Sequence, residues 1–166
     1  MSTPGPYKQP ESVLVVVHSA AREFLLLQRV SPSGFWQSVT GSLEPGEAPR
    51  EAALRELEEE TGLACTPAQL VDWRHCNRFE IRPEWRSRYA PGVTHNTEHV
   101  FSLCLPAARP IRLAPDEHTA YVWLPSDAAA EKVFSWTNRE AILRLARAPL
   151  PDAPNPYGGR GDAAAP

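Results

Sequence analysis

An α/β domain is what the sequence predicts. Short apolar runs of strand length are mixed with two stretches of helical period, the chain is long enough for one hydrophobic core, and no segment repeats. At 166 residues one domain is expected and two are not. The 42% apolar and 22% charged fractions are those of a globular chain, so disorder is expected only at the ends.

The elements follow in order. The opening MSTPGPYKQP is rich in Pro and small residues and is predicted to be extended or mobile. SVLVVVH (12–18) and EFLLLQR (23–29) are β-rich runs across a short polar turn, which predicts a buried hairpin. FWQSVTG (35–41) reads as one short strand ending at Gly41. A helix then starts at Pro49, where a missing N–H costs nothing, and ends before Gly62, which suits the left-handed closing position. A long strand is predicted over 70–81, then a polar loop with aromatics, then strands over 99–105 and 120–124. TNREAILRLARA predicts a last helix, N-capped by Thr137 or Asn138, with Ile142, Leu143 and Ala146 on its apolar face. Beyond Ala148 the chain turns to Pro, Gly and Ala, so residues 1–148 are read as the domain and 149–166 as a disordered tail. The RGD tripeptide in that tail (160–162) is common by chance and is assigned no role.

A net charge of -3 gives no general attraction to nucleic acid or anionic membranes, so affinity for phosphates must be local. Arg greatly outnumbers Lys, present only as Lys8 and Lys132, which suits bidentate phosphate contacts. Cys65, Cys76 and Cys104 are odd in number and widely spaced, so neither a disulfide framework nor a zinc site is indicated. The longest apolar run, VLVVV, is too short to span a bilayer and no basic-then-apolar leader opens the chain, so a soluble, cytoplasmic protein is expected.

The helix at 49–61 carries five glutamates, four of them in its second half, where the helix dipole least favours carboxylates. At roughly 100° per residue, Leu54, Leu57 and Thr61 share a face that can pack on the sheet. Glu51 and Glu58 point to solvent, and Glu51 stands one turn before Arg55 in the favourable order for an ion pair. Glu56, Glu59 and Glu60 fall at i, i+3 and i+4 on one arc beside the apolar face, with small Ala52 and Ala53 as neighbours that would let a ligand approach. Each like-charge pair costs about 0.2–0.5 kcal/mol in a bare helix. A hard divalent cation is the natural relief, since Mg²⁺ or Mn²⁺ takes oxygen ligands and leaves positions for water and phosphates.

The pattern from Gly41 through Glu47, Arg55, Glu56, Leu57, Glu59, Glu60 and Gly62 to Leu63 resembles the signature of Nudix hydrolases, filled without a departure. That resemblance implies an α/β/α sandwich around a mixed β-sheet, with the signature as a loop-helix-loop motif. It also implies hydrolysis of a diphosphate linkage, with two or more Mg²⁺ (or Mn²⁺) ions on Glu56, Glu59, Glu60 and, from a loop, Glu117. Arg55 and Glu47 would orient the acids. Spacing does not single out the proton acceptor among the three arc glutamates; Glu59 is preferred.

Flanking segments, FWQSVTGS, RYAPGVTHNTEH, EHTAYVWL and SWTNREAI, are similar to the branch of that family acting on dihydroneopterin triphosphate in folate biosynthesis. The similarity implies substrate contacts from Lys8, Arg29, Thr40, His118 and Ser135, and from Phe79, Glu80, Ile81 and Arg82 in a more loosely matching stretch. A triphosphate needs cations and donors at several places, which Lys8, Arg29 and the Thr40 hydroxyl can supply. A flat polar heterocycle needs stacking partners, for which Trp36, Phe79, Trp85 and Tyr89 are candidates. The expected partner is therefore a small triphosphate, with no nucleic acid and no membrane. The rival readings are a general nucleoside triphosphate pyrophosphatase acting on dATP or oxidised dGTP, and a non-catalytic nucleotide-binding domain.

Overall fold

The computed structural model describes residues 7–148; residues 1–6 and the predicted tail at 149–166, with its RGD, lie outside the described residues. Seven strands form one mixed sheet: β1 (Glu11–Ser19), β2 (Glu23–Arg29), β3 (Trp36–Gln37), β4 (Val39–Ser42), β5 (Val71–Glu80), β6 (His95–Leu105) and β7 (His118–Pro125). β1 runs parallel to β6 over its whole length and antiparallel to β4, while β5 flanks β6 and β7 flanks β2. Alternation along β1 divides the core. Val13, Val15 and Val17 pack under α1 (Pro49–Thr61), while Leu14 and Val16 pack under α2 (Ser126–Lys132) and α3 (Trp136–Arg147). The architecture is the expected α/β/α sandwich, with α2 an addition that the short Ala-rich SDAAAEK did not signal.

Two strand expectations change. β1 and β2 pair only at the tip of their turn, through His18 and Phe24, and then diverge to different neighbours. FWQSVTG is two strands, with Trp36 and Gln37 on β2 and residues 39–42 on β1. Ser38 sits at the break, its N–H donating to Asn138 Oδ1 at 2.8 Å and its hydroxyl accepting from Asn138 Nδ2 at 2.9 Å. Asn138 is thereby committed to β3 and β4; the N-cap of α3 is Ser135, whose Oγ accepts from the Asn138 N–H at 3.1 Å.

α1 has the predicted bounds, with Gly62 at φ 72° and its N–H closing on the Glu58 carbonyl at 2.8 Å. Leu57 and Thr61 are buried as the period demands. Ala52 and Ala53 are also fully buried against the sheet, so their small size serves helix-to-sheet packing and not ligand approach. Among the described residues no helix is long and apolar enough to cross a membrane, and Cys65, Cys76 and Cys104 are free thiols.

Candidate active site

The organising contact is a fork between two members of the signature. Arg55 donates from Nε to Glu47 Oε2 and from Nη2 to Glu47 Oε1, both at 2.8 Å. Its Nη1 donates to Glu56 Oε1 at 2.8 Å and to Glu59 Oε2 at 3.3 Å, and Nη2 also reaches the Ser42 carbonyl at 3.1 Å. The predicted Glu51–Arg55 pair does not form. Arg55 turns toward the loop and β4, where several carboxylates meet it, and Glu51 accepts from the Ala48 N–H at the helix start. The fork holds the Arg55 pKa above its ordinary value and the Glu47 pKa below it.

The three arc glutamates are not equivalent. Glu59 is about half exposed, whereas Glu56 and Glu60 are 8% and 3% exposed. Glu56 lies over Gly41 of β4, in the space that a side chain there would fill. Burial pushes the Glu56 carboxyl up to about 7 against the pull of Arg55. Glu60 accepts from the Thr40 N–H at 3.1 Å, and burial, then Glu56 and Glu117, raise it well above the usual carboxylate range.

β7 completes the acidic end. Val30 N–H donates to the Glu117 carbonyl at 2.9 Å, and a register shift at Gln28 and Arg29 sets Arg29 opposite His118. Glu60, Glu117 and His118 offer three ligand atoms within 4.8 Å of one another. His118 is buried, its Nδ1 lacks a partner, and burial followed by Arg29 lowers its pKa to about 4. The imidazole is therefore neutral near pH 7 and able to act as a ligand.

Two cavities share a wall. The acidic one, about 630 Å³, is lined by Glu56, Glu59, Glu60, Glu117 and His118. The second, about 390 Å³, opens on the α3 face of the sheet and is lined by Phe79, Glu80, Ile81, Arg82, Trp85, Phe134 and Ser135 among others. Lys8, Arg29, Gln37 and the segment 40–42 border both. Burial, Arg88 and Arg29 lower the Lys8 pKa, which marks a locally positive rim.

Several expected contact residues also have partners within the protein. The Thr40 hydroxyl donates to the Val13 carbonyl at 2.8 Å, while its backbone N–H donates to Glu60. Trp36 lies outside both cavities, packed in the core under α2 and α3 with Lys132 over its ring at 4.7 Å. Glu80 ion-pairs with Arg86. Arg82 stacks over Phe35, Trp85 and Phe134 at 5.2–5.6 Å, and Phe35 stacks on Phe134 at 4.8 Å. Sequence reasoning missed Ser12, Gln37, Asn96, Glu98 and Phe134. For Asn96 and Glu98 a signal existed, because they continue the alternation of Val100 and Ser102 back along β6.

Comparison with known proteins places the chain in a family. Residues 8–145 match the NUDIX domain. The chain is 48% identical over 139 residues to dihydroneopterin triphosphate diphosphatase of Escherichia coli (strain K12), covering 82% of this chain and 91% of that protein. It is 40% identical over 141 residues to the protein of the same name from Haemophilus influenzae, covering 83% and 88%. A solved structure of the E. coli dihydroneopterin triphosphate pyrophosphohydrolase superimposes with a TM-score of 0.78 at 46% identity, covering 84% of this chain and 96% of that one. With its signature filled, its sandwich formed and its domain matched over most of its length, the chain belongs to the Nudix family.

Proposed function

We propose that this chain hydrolyses dihydroneopterin triphosphate to dihydroneopterin monophosphate and pyrophosphate, a step of folate biosynthesis. The observation that carries the reading is the shared wall: a carboxylate-lined cavity for phosphates adjoins an aromatic-walled cavity large enough for a bicyclic ring. Identities of 48% and 40% to relatives bearing that activity in their names support it.

The donor set fits divalent metal. Glu60 is almost fully buried beside Glu56 and Glu117, a crowding of acids that burial alone makes costly, and His118 offers a ring nitrogen within 4.8 Å of the Glu60 and Glu117 carboxylates. We assign the metals to Glu56, Glu59, Glu60 and Glu117, two or more Mg²⁺ or Mn²⁺ ions in all, with His118 beside them. When bound, they would supply charge neutralisation along the phosphates and acidify water. The chain's own groups do the rest. Arg55 and Glu47 hold Glu56 in register. Glu56 Oε1 is occupied by Arg55, which leaves Oε2 free to face attacking water and accept its proton. We therefore assign the proton to Glu56 in preference to Glu59, a choice that spacing leaves open. Arg29 and Lys8, on the shared wall, bind the phosphate chain and stabilise charge that develops on the leaving pyrophosphate. Ser135 caps α3 and lines the ring cavity, where it completes the substrate contacts.

The activity is assigned to residues 1–148, and the three free thiols are consistent with a cytoplasmic setting. Pyrophosphate release from dihydroneopterin triphosphate, dATP and an oxidised dGTP, with and without Mg²⁺, tests the reading. Strong preference for a nucleotide would overturn the substrate, and binding without release would overturn the activity.

A further inference from the structure

Resting on that substrate reading, we propose that Asn96 and Glu98 are the specificity edge of the ring cavity: two acceptors that select a heterocycle carrying adjacent N–H donors, such as the 2-amino-4-oxopyrimidine edge of a pterin. Both residues lie on β6, two apart, so they project to one face, and both line the cavity of about 390 Å³.

Asn96 is 3% exposed. Its Nδ2 donates to Ser12 Oγ at 2.8 Å, which fixes the amide's orientation and leaves Oδ1 buried with no partner in the protein. A buried acceptor left unmade is rare in a native fold and points to a ligand. Glu98 is 5% exposed, and the groups that hold its charge are both neutral: Asn77 Nδ2, donating to Oε1 at 3.3 Å, and the Thr137 hydroxyl. A carboxylate has about four acceptor sites, so two remain for incoming donors. A ring presenting an amino group beside a ring N–H supplies them. Adenine presents an acceptor nitrogen beside its amino group, and would set that lone pair against a buried carboxylate. The phosphate chain of a ring held there leads to the shared wall and so to the acids. Guanine carries the same donor edge as a pterin, so the two acceptors separate both from adenine but do not separate them from each other.

The test is kcat/KM by pyrophosphate release for dihydroneopterin triphosphate, GTP and dATP, measured on the wild type, Glu98→Gln and Asn96→Leu, with melting curves to check folding. Glu98→Gln keeps the volume and turns one acceptor into a donor. Its preference for the pterin substrate over dATP should fall about 10–100-fold, through KM and with kcat nearly unchanged. Asn96→Leu should shift the same ratio by a smaller factor. A merely structural role would lower all three substrates in parallel, and that result, or an unchanged ratio, overturns the proposal. Should either variant fail to fold, the wild type still decides: pterin should inhibit at least tenfold better than lumazine, in which an oxo group replaces the 2-amino group, and equal inhibition overturns the proposal. A wild type that prefers GTP to the pterin substrate while Glu98→Gln still collapses the ratio to dATP would refute the substrate reading and keep the edge. A wild type that prefers the pterin while the ratio ignores Glu98 would do the reverse.

Discussion

A Cβ placed on Gly41 would stand 2.1 Å from the carboxyl carbon of Glu56. The glycine that opens the signature is there for the approach of a side chain from α1 and not for a turn, since the residue lies within β4. Glu56 is buried and held by Arg55, so it cannot retreat without breaking that bond. Gly41→Ala should cost about 1–3 kcal/mol by overpacking, and should lower turnover on the order of a hundredfold, given how steeply rate falls with misplacement. Thermal melting and pyrophosphate release read the two effects, and near wild-type turnover would refute the close-approach account.

The fork from Arg55 to Glu47 makes a second point about geometry over charge. Lysine at position 55 keeps the positive charge and loses the planar pair of donors. Arg55→Lys should therefore remain folded, with turnover reduced about 10–100-fold and a weaker apparent affinity for Mg²⁺. Recovery of full activity in Arg55→Lys would show that charge alone suffices.

The linkage of stability to pH has a sign that the shifts determine. Glu56, Glu60 and Glu98 have folded pKa values raised above 4.5, so the folded state binds more protons than the unfolded one and stability falls as pH rises above about 4.5, for Glu56 through about 7. His118 acts in the opposite sense: lowered from 6.5 to about 4, it adds stability as pH rises between those values. The two trends offset one another up to about pH 6.5. Above it the imidazole no longer contributes and the three raised acids outweigh the opposite effect of the lowered Lys8. In EDTA the melting temperature should fall from about pH 6.5 toward pH 8, and Mg²⁺ should restore more at pH 8 than at pH 6. A metal effect independent of pH would contradict the assignment of the buried acids as ligands.

Much of this was legible in the sequence because it is local. Pro49, Gly62 and the spacing of Leu57 and Thr61 define α1 within one segment, and VLVVV is buried on both faces as a continuous apolar run suggests. What escaped depends on partners far along the chain. FWQSVTG looks like one strand until Asn138, 100 residues later, takes the Ser38 N–H and hydroxyl. SWTN offers four polar or aromatic residues in a row, and only the packing of α3 decides that Ser135 caps while Asn138 reaches across. HNTEH reads as polar loop. Its alternation extends that of Val100 and Ser102, and the parallel pairing of β6 with β1 sets Glu98 opposite Ser12. Spacing alone makes Glu56, Glu59 and Glu60 equivalent, yet the sheet buries Glu56 and Glu60 and leaves Glu59 half-exposed.

Asn138 also supports a prediction on stability alone. It is 1% exposed, and its amide satisfies a backbone N–H and a hydroxyl at the break between β3 and β4. Asn138→Ala would leave the Ser38 N–H buried without a partner, at a cost of about 1–3 kcal/mol. Chemical denaturation should show that loss. Unchanged stability would mean that water replaces the amide.

Glu60 separates stability from function most sharply. Its carboxyl is almost fully buried, beside two other acids, and accepts one backbone N–H from Thr40. Glutamine has the same shape and can still accept that bond, but carries no charge to desolvate. In the absence of metal, Glu60→Gln should therefore be more stable than wild type at pH 8, by on the order of 1 kcal/mol. The same change removes a ligand, so Mg²⁺ should no longer raise the melting temperature as it does for wild type, and turnover should drop by at least a hundredfold. Melting curves with EDTA and with Mg²⁺, beside pyrophosphate release, test all three. A Glu60→Gln protein that is less stable than wild type in EDTA would mean that the buried charge is already well compensated within the fold.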